Sequence, residues 1–169
     1  MMKGEFGKDF AIERFTVGTV GEPGQRTFYL QFSSREGVRT FSIEKFLVQS
    51  LIENISNILR EIRAKNPLLP REKLAFDDKP LDAPIEDEFR IEKVEIFYLE
   101  NTNSLSITVS QDGSEFAQSF SCEVSLPLGE QFVRRARAVI EAGRRSCPFC
   151  GSPINPEGHI CPRANGYRR

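Results

Sequence analysis

The sequence predicts an α+β fold: two βββα units whose strands merge into one antiparallel sheet with both helices on one face, plus a small C-terminal zinc-binding tail. Three observations predict it. Runs of β-branched and aromatic residues alternate with period two and are separated by turn-forming residues. Each set of three such runs leads into a stretch with apolar residues every three or four positions, the period of an amphipathic helix. Three of the four cysteines and the only histidine lie between positions 147 and 161. The expected domain spans 1–145, with units at 10–66 and 89–145 joined by a connector at 67–88, and the tail covers 146–169.

In the first unit, Phe15 to Val20 reads as a strand, Gly21-Glu-Pro-Gly24 as a turn, and Arg26 to Phe32 as a second strand. After Glu36-Gly37, the residues Val38 to Ile43 alternate as a third strand. Ser42 is the expected N-cap of a helix running to about Lys65, whose residues Leu47, Leu51, Ile55, Ile58 and Ile62 make one apolar stripe. Asn66-Pro67 and Pro70 end it, because proline lacks the backbone donor and pushes the preceding residue out of helical dihedrals.

An acidic connector with Asp77, Asp78, Asp82, Glu86, Asp87 and Glu88 follows, and its default reading is a solvated linker. The second unit has strands at Val94–Leu99, Leu105–Val109 and Ala117–Val124. Pro127 opens the second helix, with Phe132, Val133, Ala136, Val139, Ile140 and Gly143 as its stripe. Fourteen phenylalanines and no tryptophan point to an aromatic and aliphatic core. Gly18, Gly21 and Gly24 precede a strand instead of a helix N-terminus, so they read as a hairpin turn and not as a phosphate cradle.

The tail carries Cys147-Pro-Phe-Cys150, eight residues, then His159-Ile-Cys161, which is four ligands for a tetrahedral structural zinc. Its prolines and Gly158 oppose a helix, and so short a segment has little apolar surface with which to order itself. A redox-active C-x2-C dithiol, or a site using Cys122 in place of His159, are the alternatives. A closed four-ligand shell leaves no open position for catalysis, and a His159 bound to metal leaves no imidazole for acid–base chemistry.

Charge is divided along the chain. Residues 1–133 hold 15 Lys and Arg against 22 Asp and Glu, and residues 134–169 hold 8 Arg against Glu141 and Glu157, so the two parts carry −7 and +6. Arg134, Arg137, Arg144, Arg145, Arg163, Arg168 and Arg169 are therefore the candidate binding surface, for a protein partner first and for nucleic acid second. Few aromatics accompany them, which is a poor platform for stacking bases. The expected function is a non-enzymatic, zinc-binding interaction protein; an enzyme using Arg26, Glu44 or the acidic connector on a small anionic substrate is the other class. Residues 1–10 lack the apolar core of a secretory signal, and no stretch approaches the ~20 apolar residues of a membrane span. Clustered cysteines fit a metal site better than a disulfide framework, so a cytoplasmic location without membrane contact is expected.

Two segments carry a resemblance: Val17-Gly-Thr-Val-Gly-Glu-Pro-Gly-Gln-Arg-Thr-Phe-Tyr-Leu-Gln31, and the end, from Cys147-Pro-Phe-Cys150 through Gly158-His-Ile-Cys-Pro-Arg-Ala-Asn-Gly-Tyr-Arg-Arg169. They resemble domain-of-unknown-function family 3090, a mainly actinobacterial family, over nearly the whole chain. The resemblance implies a cytoplasmic protein of similar length with the two terminal motifs as its hallmark, and it brings no activity with it.

Overall fold

The structure is a computed structural model that describes residues 3–5, 11–22, 24–112, 117–142, 147–151, 154 and 161. Three antiparallel strands, β2 (Arg14–Val20), β3 (Thr27–Ser34) and β4 (Gly37–Ile43), lead into helix α1 (Lys45–Lys65). Three more, β6 (Lys93–Leu99), β7 (Ser104–Ser110) and β8 (Ser119–Ser125), lead into α2 (Leu126–Glu141). The α+β class and the order of three strands then a helix, occurring in both halves, are as the sequence predicts.

The strands do not merge into one sheet. They form two four-stranded sheets, in the orders β1-β8-β7-β6 and β2-β3-β4-β5. The reason lies in two short strands that alternation did not reveal. β5 (Asp87–Ile91), which precedes the second meander, pairs in parallel with β4 of the first. β1 (Lys3–Glu5), which precedes the first meander, pairs in parallel with β8 of the second. The edges that a continuous sheet would join are therefore already occupied. At the opposite edges, α2 packs along β2, and α1 lies against β6 and α2. Covering or pairing an edge in this way satisfies backbone groups that would otherwise recruit other chains.

The two sheets share one core. Phe15, Val17, Leu30, Phe32 and Phe41 project from one, and Leu105, Ile107, Val109, Phe120 and Val124 from the other, all fully or nearly fully buried. The Phe120 ring lies 5.2 Å from Phe32 and 5.3 Å from Phe41, bridging the sheets. Phe132 of α2 stacks on Phe15 at 4.0 Å, which seats the second helix on β2. Offset aromatic pairs of this kind add to the stabilisation from area burial alone.

The helix details shift slightly from expectation. Ser42 stays in β4, its N–H donated to Asp87 Oδ1, and the N-cap of α1 is Glu44 without a side-chain cap. The fully buried stripe of α1 is Val48, Leu51, Ile55, Leu59 and Ile62, with Leu47 and Ile58 partly buried beside it. Ser125 caps α2, its hydroxyl accepting from the Leu128 N–H, with Pro127 in the first turn. Gly143, placed on that helix's stripe by sequence, lies outside the described residues.

The connector is not a solvated linker. Residues 74–82 run as a strap over the outer face of the β2–β5 sheet. The side-chain amide of Gln31 pairs with the Asp82 backbone in both directions, Nε2 to the carbonyl at 3.0 Å and Oε1 from the N–H at 2.9 Å. Leu81 lies directly on Gly18: a Cβ there would come within 2.6 Å of Leu81 Cγ. At the strap's head, Arg14 grips Asp77 through Nε at 2.9 Å and Nη2 at 3.1 Å.

Candidate metal centre

Among the described residues, Cys147, Cys150 and Cys161 bring their Sγ atoms within 4.8 Å of one another. Zinc–sulfur bonds of about 2.3 Å in a tetrahedron place two thiolates roughly 3.8 Å apart, so the three sulfurs sit at a separation a single ion can close. Cys147 and Cys161 are buried and Cys150 is half-buried; none is in a disulfide. The local chain explains the convergence. Residues Pro148–Cys150 form a turn, the Gly151 N–H donates to the Cys147 carbonyl at 2.9 Å, and Gly151 adopts φ +76°. That left-handed conformation suits glycine, and it curls the segment so that both sulfurs of C-x2-C face one point. Three soft thiolate donors in one place fit a thiophilic metal ion. His159, the fourth ligand expected from spacing, lies outside the described residues.

Cys122 is not in this group. It sits on β8 opposite Ile107, on the face packed against the core. Burial, reinforced by the neighbouring Glu123 carboxylate, pushes its thiol far above the usual range, so it is held as a neutral, inert side chain.

The candidate arginine surface divides in two. Arg137 is exposed and donates Nη2 to Ser56 Oγ at 3.3 Å. Arg134 is turned inward, donating Nη2 to the Leu74 carbonyl of the strap. Arg144, Arg145, Arg163, Arg168 and Arg169 lie outside the described residues.

Sequence reasoning missed what Arg135 does. It is buried, and it donates Nε to the Val17 carbonyl on the edge of β2 at 3.0 Å and Nη1 to the carbonyls of Asp77 and Lys79. One guanidinium thus ties α2, β2 and the strap together. Burial lowers its pKa against the attraction of Asp77. Burial likewise opposes charge on Asp77, yet the hydrogen bonds and charge of Arg14, the Lys79 N–H and Arg135 hold that carboxyl below its usual range. A signal was available: Arg135 falls three residues after Phe132 and beside Ala136, on the apolar side of the helix, where an arginine requires partners.

Arg26 and Glu44, the residues suggested for a small-anion site, do come together. They line a cleft of about 460 Å³ at one end of the β2–β5 sheet. Among the described residues, no helix is long and apolar enough to cross a membrane.

No curated protein and no solved structure matches the chain significantly. A family model described as "Protein of unknown function (DUF3090)" matches residues 9–161, a span that takes in every strand but β1, both helices and all three clustered cysteines, and the chain belongs to that family.

Proposed function

We propose that the protein is a non-enzymatic, zinc-stapled binding protein whose metal is held by Cys147, Cys150, His159 and Cys161. The convergence of three thiols within 4.8 Å carries the reading. Thiolate and imidazole are the ligands zinc takes in closed structural sites, and His159-Ile-Cys161 supplies the fourth donor beside the third thiolate. The tail is an appendage ordered by its ion, while the domain at 1–145 has its own aromatic core. Clustered cysteines and a metal of this kind suit the reducing cytoplasm. The halves are read as a duplication of one strand-swapped unit, supported by the matching placement of β1 on β8 and β5 on β4.

Metal analysis of the purified full chain tests the staple. One zinc per chain is expected, and Cys150→Ser should lose it while the domain still unfolds cooperatively. Protein without stoichiometric metal would sink the staple, and a variant with no cooperative transition would sink the separate appendage.

The contact surface is the basic end of the chain: Arg137 with Arg144, Arg145, Arg163, Arg168 and Arg169, opposite in sign to the acidic body. Arg134 drops out of it because the strap uses it. An acidic protein surface is the favoured partner. Affinity capture from the native cells, with and without nuclease, tests this. Partners that survive nuclease and are lost on Arg168→Ala with Arg169→Ala fit a protein contact, whereas a set that vanishes with nuclease moves the assignment to nucleic acid.

A further inference from the structure

Away from the cysteines, the cleft at the end of the β2–β5 sheet has a composition the metal reading does not use. It lies where the start of β3, the end of β4, the first residue of α1 and β5 meet, with Ile140 of α2 as one wall. Its volume of about 460 Å³ is within the range of small-molecule sites. Five charged side chains line it: Arg26, Lys45 and Arg90 against Glu44 and Asp87.

Both carboxylates are engaged by the protein. Glu44 forms an ion pair with Arg90, and Asp87 Oδ1 accepts the Ser42 N–H at 2.9 Å. Arg26 and Lys45, in contrast, have no carboxylate partner among the described residues. Arg26 is nevertheless held in place: its guanidinium lies over the Phe28 ring, 5.3 Å from the centroid, and Nη1 donates to the Val139 carbonyl at 3.3 Å. A guanidinium has five N–H donors, and that bond takes one of them. A half-buried, positioned fork with spare donors, beside a second unpaired cation, is an arrangement suited to an anion.

The geometry points to a binding site for a small molecule bearing an oxyanion, phosphate or carboxylate, with Arg26 as the fixed fork and Lys45 as the second cation. Phe28, Ile43 and Ile140 give the remainder of such a ligand an apolar wall. The site is independent of the cysteine cluster, so it stands or falls separately from the zinc assignment.

Thermal unfolding of the full chain is followed while sodium phosphate or, in parallel, sodium succinate is added, with sodium chloride at matched ionic strength as the control. A saturable rise with phosphate, or with succinate, above that of chloride is expected, and which one saturates identifies the oxyanion. Arg26→Ala should weaken the response on the order of tenfold or more, the scale of one charge-assisted hydrogen bond. Lys45→Ala, an exposed position whose loss leaves the fold intact, should weaken it severalfold, and Arg60→Ala on the exposed part of α1 should leave it unchanged. A response no greater than chloride for both anions overturns the site. So does a Lys45→Ala protein that responds like the unsubstituted chain.

Discussion

The two sheets present polar outer faces written in the same alternating pattern, yet one is dry and the other is wet. On the β2–β5 sheet, Thr16, Gln31 and Thr40 stand in a row across three strands and are 0%, 0% and 3% exposed. On the β6–β8 sheet, the corresponding row of Glu95, Thr108 and Ser121 remains in contact with solvent, with Thr108 and Ser121 bonding each other at 2.8 Å. The strap makes the difference. Period-two alternation tells which face of a sheet is apolar, but it does not tell whether the polar face will be covered. Covering it requires partners for each buried polar group, and the strap's backbone supplies them to Gln31 while its carboxylates meet Arg14 and Arg135.

The sharpest way to break the contrast is at Asp77, whose side chain is 6% exposed and lies between Arg14 and Arg135. Asp77→Ala leaves two cations facing each other with the more exposed Asp82 and Asp78 as their remaining acidic neighbours, and removing one partner of a buried pair typically costs about 3 kcal/mol or more. Urea unfolding should show that loss. Ser121→Ala on the wet sheet should stay within about 0.5 kcal/mol of the parent. The carboxyl also gives a pH signature. Because its folded pKa lies below its unfolded value, the unfolded state binds the extra proton in the acid range. Its contribution is complete above the ordinary carboxylate pKa of about 4 and fades as pH falls through the lower, folded pKa. Asp77→Asn should therefore flatten the acid limb of the stability curve; an unchanged limb would remove Asp77 from the account.

A smaller effect is expected at Gly18. The Cγ and both Cδ atoms of Leu81 lie within 3.0 Å of where a Cβ would be, so turning the leucine's methyls alone does not clear the space, and the side chain must leave its χ1 rotamer or the strap must lift. Gly18→Ala should cost about 1–2 kcal/mol, the usual scale of overpacking. In a Leu81→Ala background the same change should cost nothing or stabilise slightly, because the alanine then meets open space and only the loss of glycine's conformational freedom remains. Additive effects in that double-mutant cycle would mean that the strap does not rest on Gly18.

The sequence revealed most where the determining contacts are local. Both meanders were legible because Phe15/Val17, Leu30/Phe32 and Leu105/Ile107/Val109 alternate within single strands. Both helices were legible from their stripes, and the cysteine cluster from fifteen consecutive positions. Sheet composition was not, since it depends on which meander a short strand joins. β5 carries a readable pair, Phe89 and Ile91, but in an acidic run, and nothing in Asp87–Ile91 says that its partner is β4. β1 is three residues long. The strap escaped for a related reason: Asp77 and Arg135 are 58 positions apart, and each looks like an ordinary surface charge until the fold brings them together.

The smallest expected effect probes how completely the strap serves the face it covers. Gln31 and Thr40 bond each other at 3.1 Å, and Gln31 also bonds the strap, but their neighbour Thr16 has a fully buried hydroxyl with no hydrogen-bond partner among the described residues. An unmet hydroxyl in such a place costs roughly 1 kcal/mol or more, whereas valine has nearly the same shape and no polar atom to satisfy. Valine also suits a strand at least as well as threonine. Thr16→Val should therefore stabilise the protein by up to about 1 kcal/mol, read as a higher urea midpoint at constant slope. A destabilised Thr16→Val would mean that the hydroxyl is satisfied by water beneath the strap, and that the covered face is not dry after all.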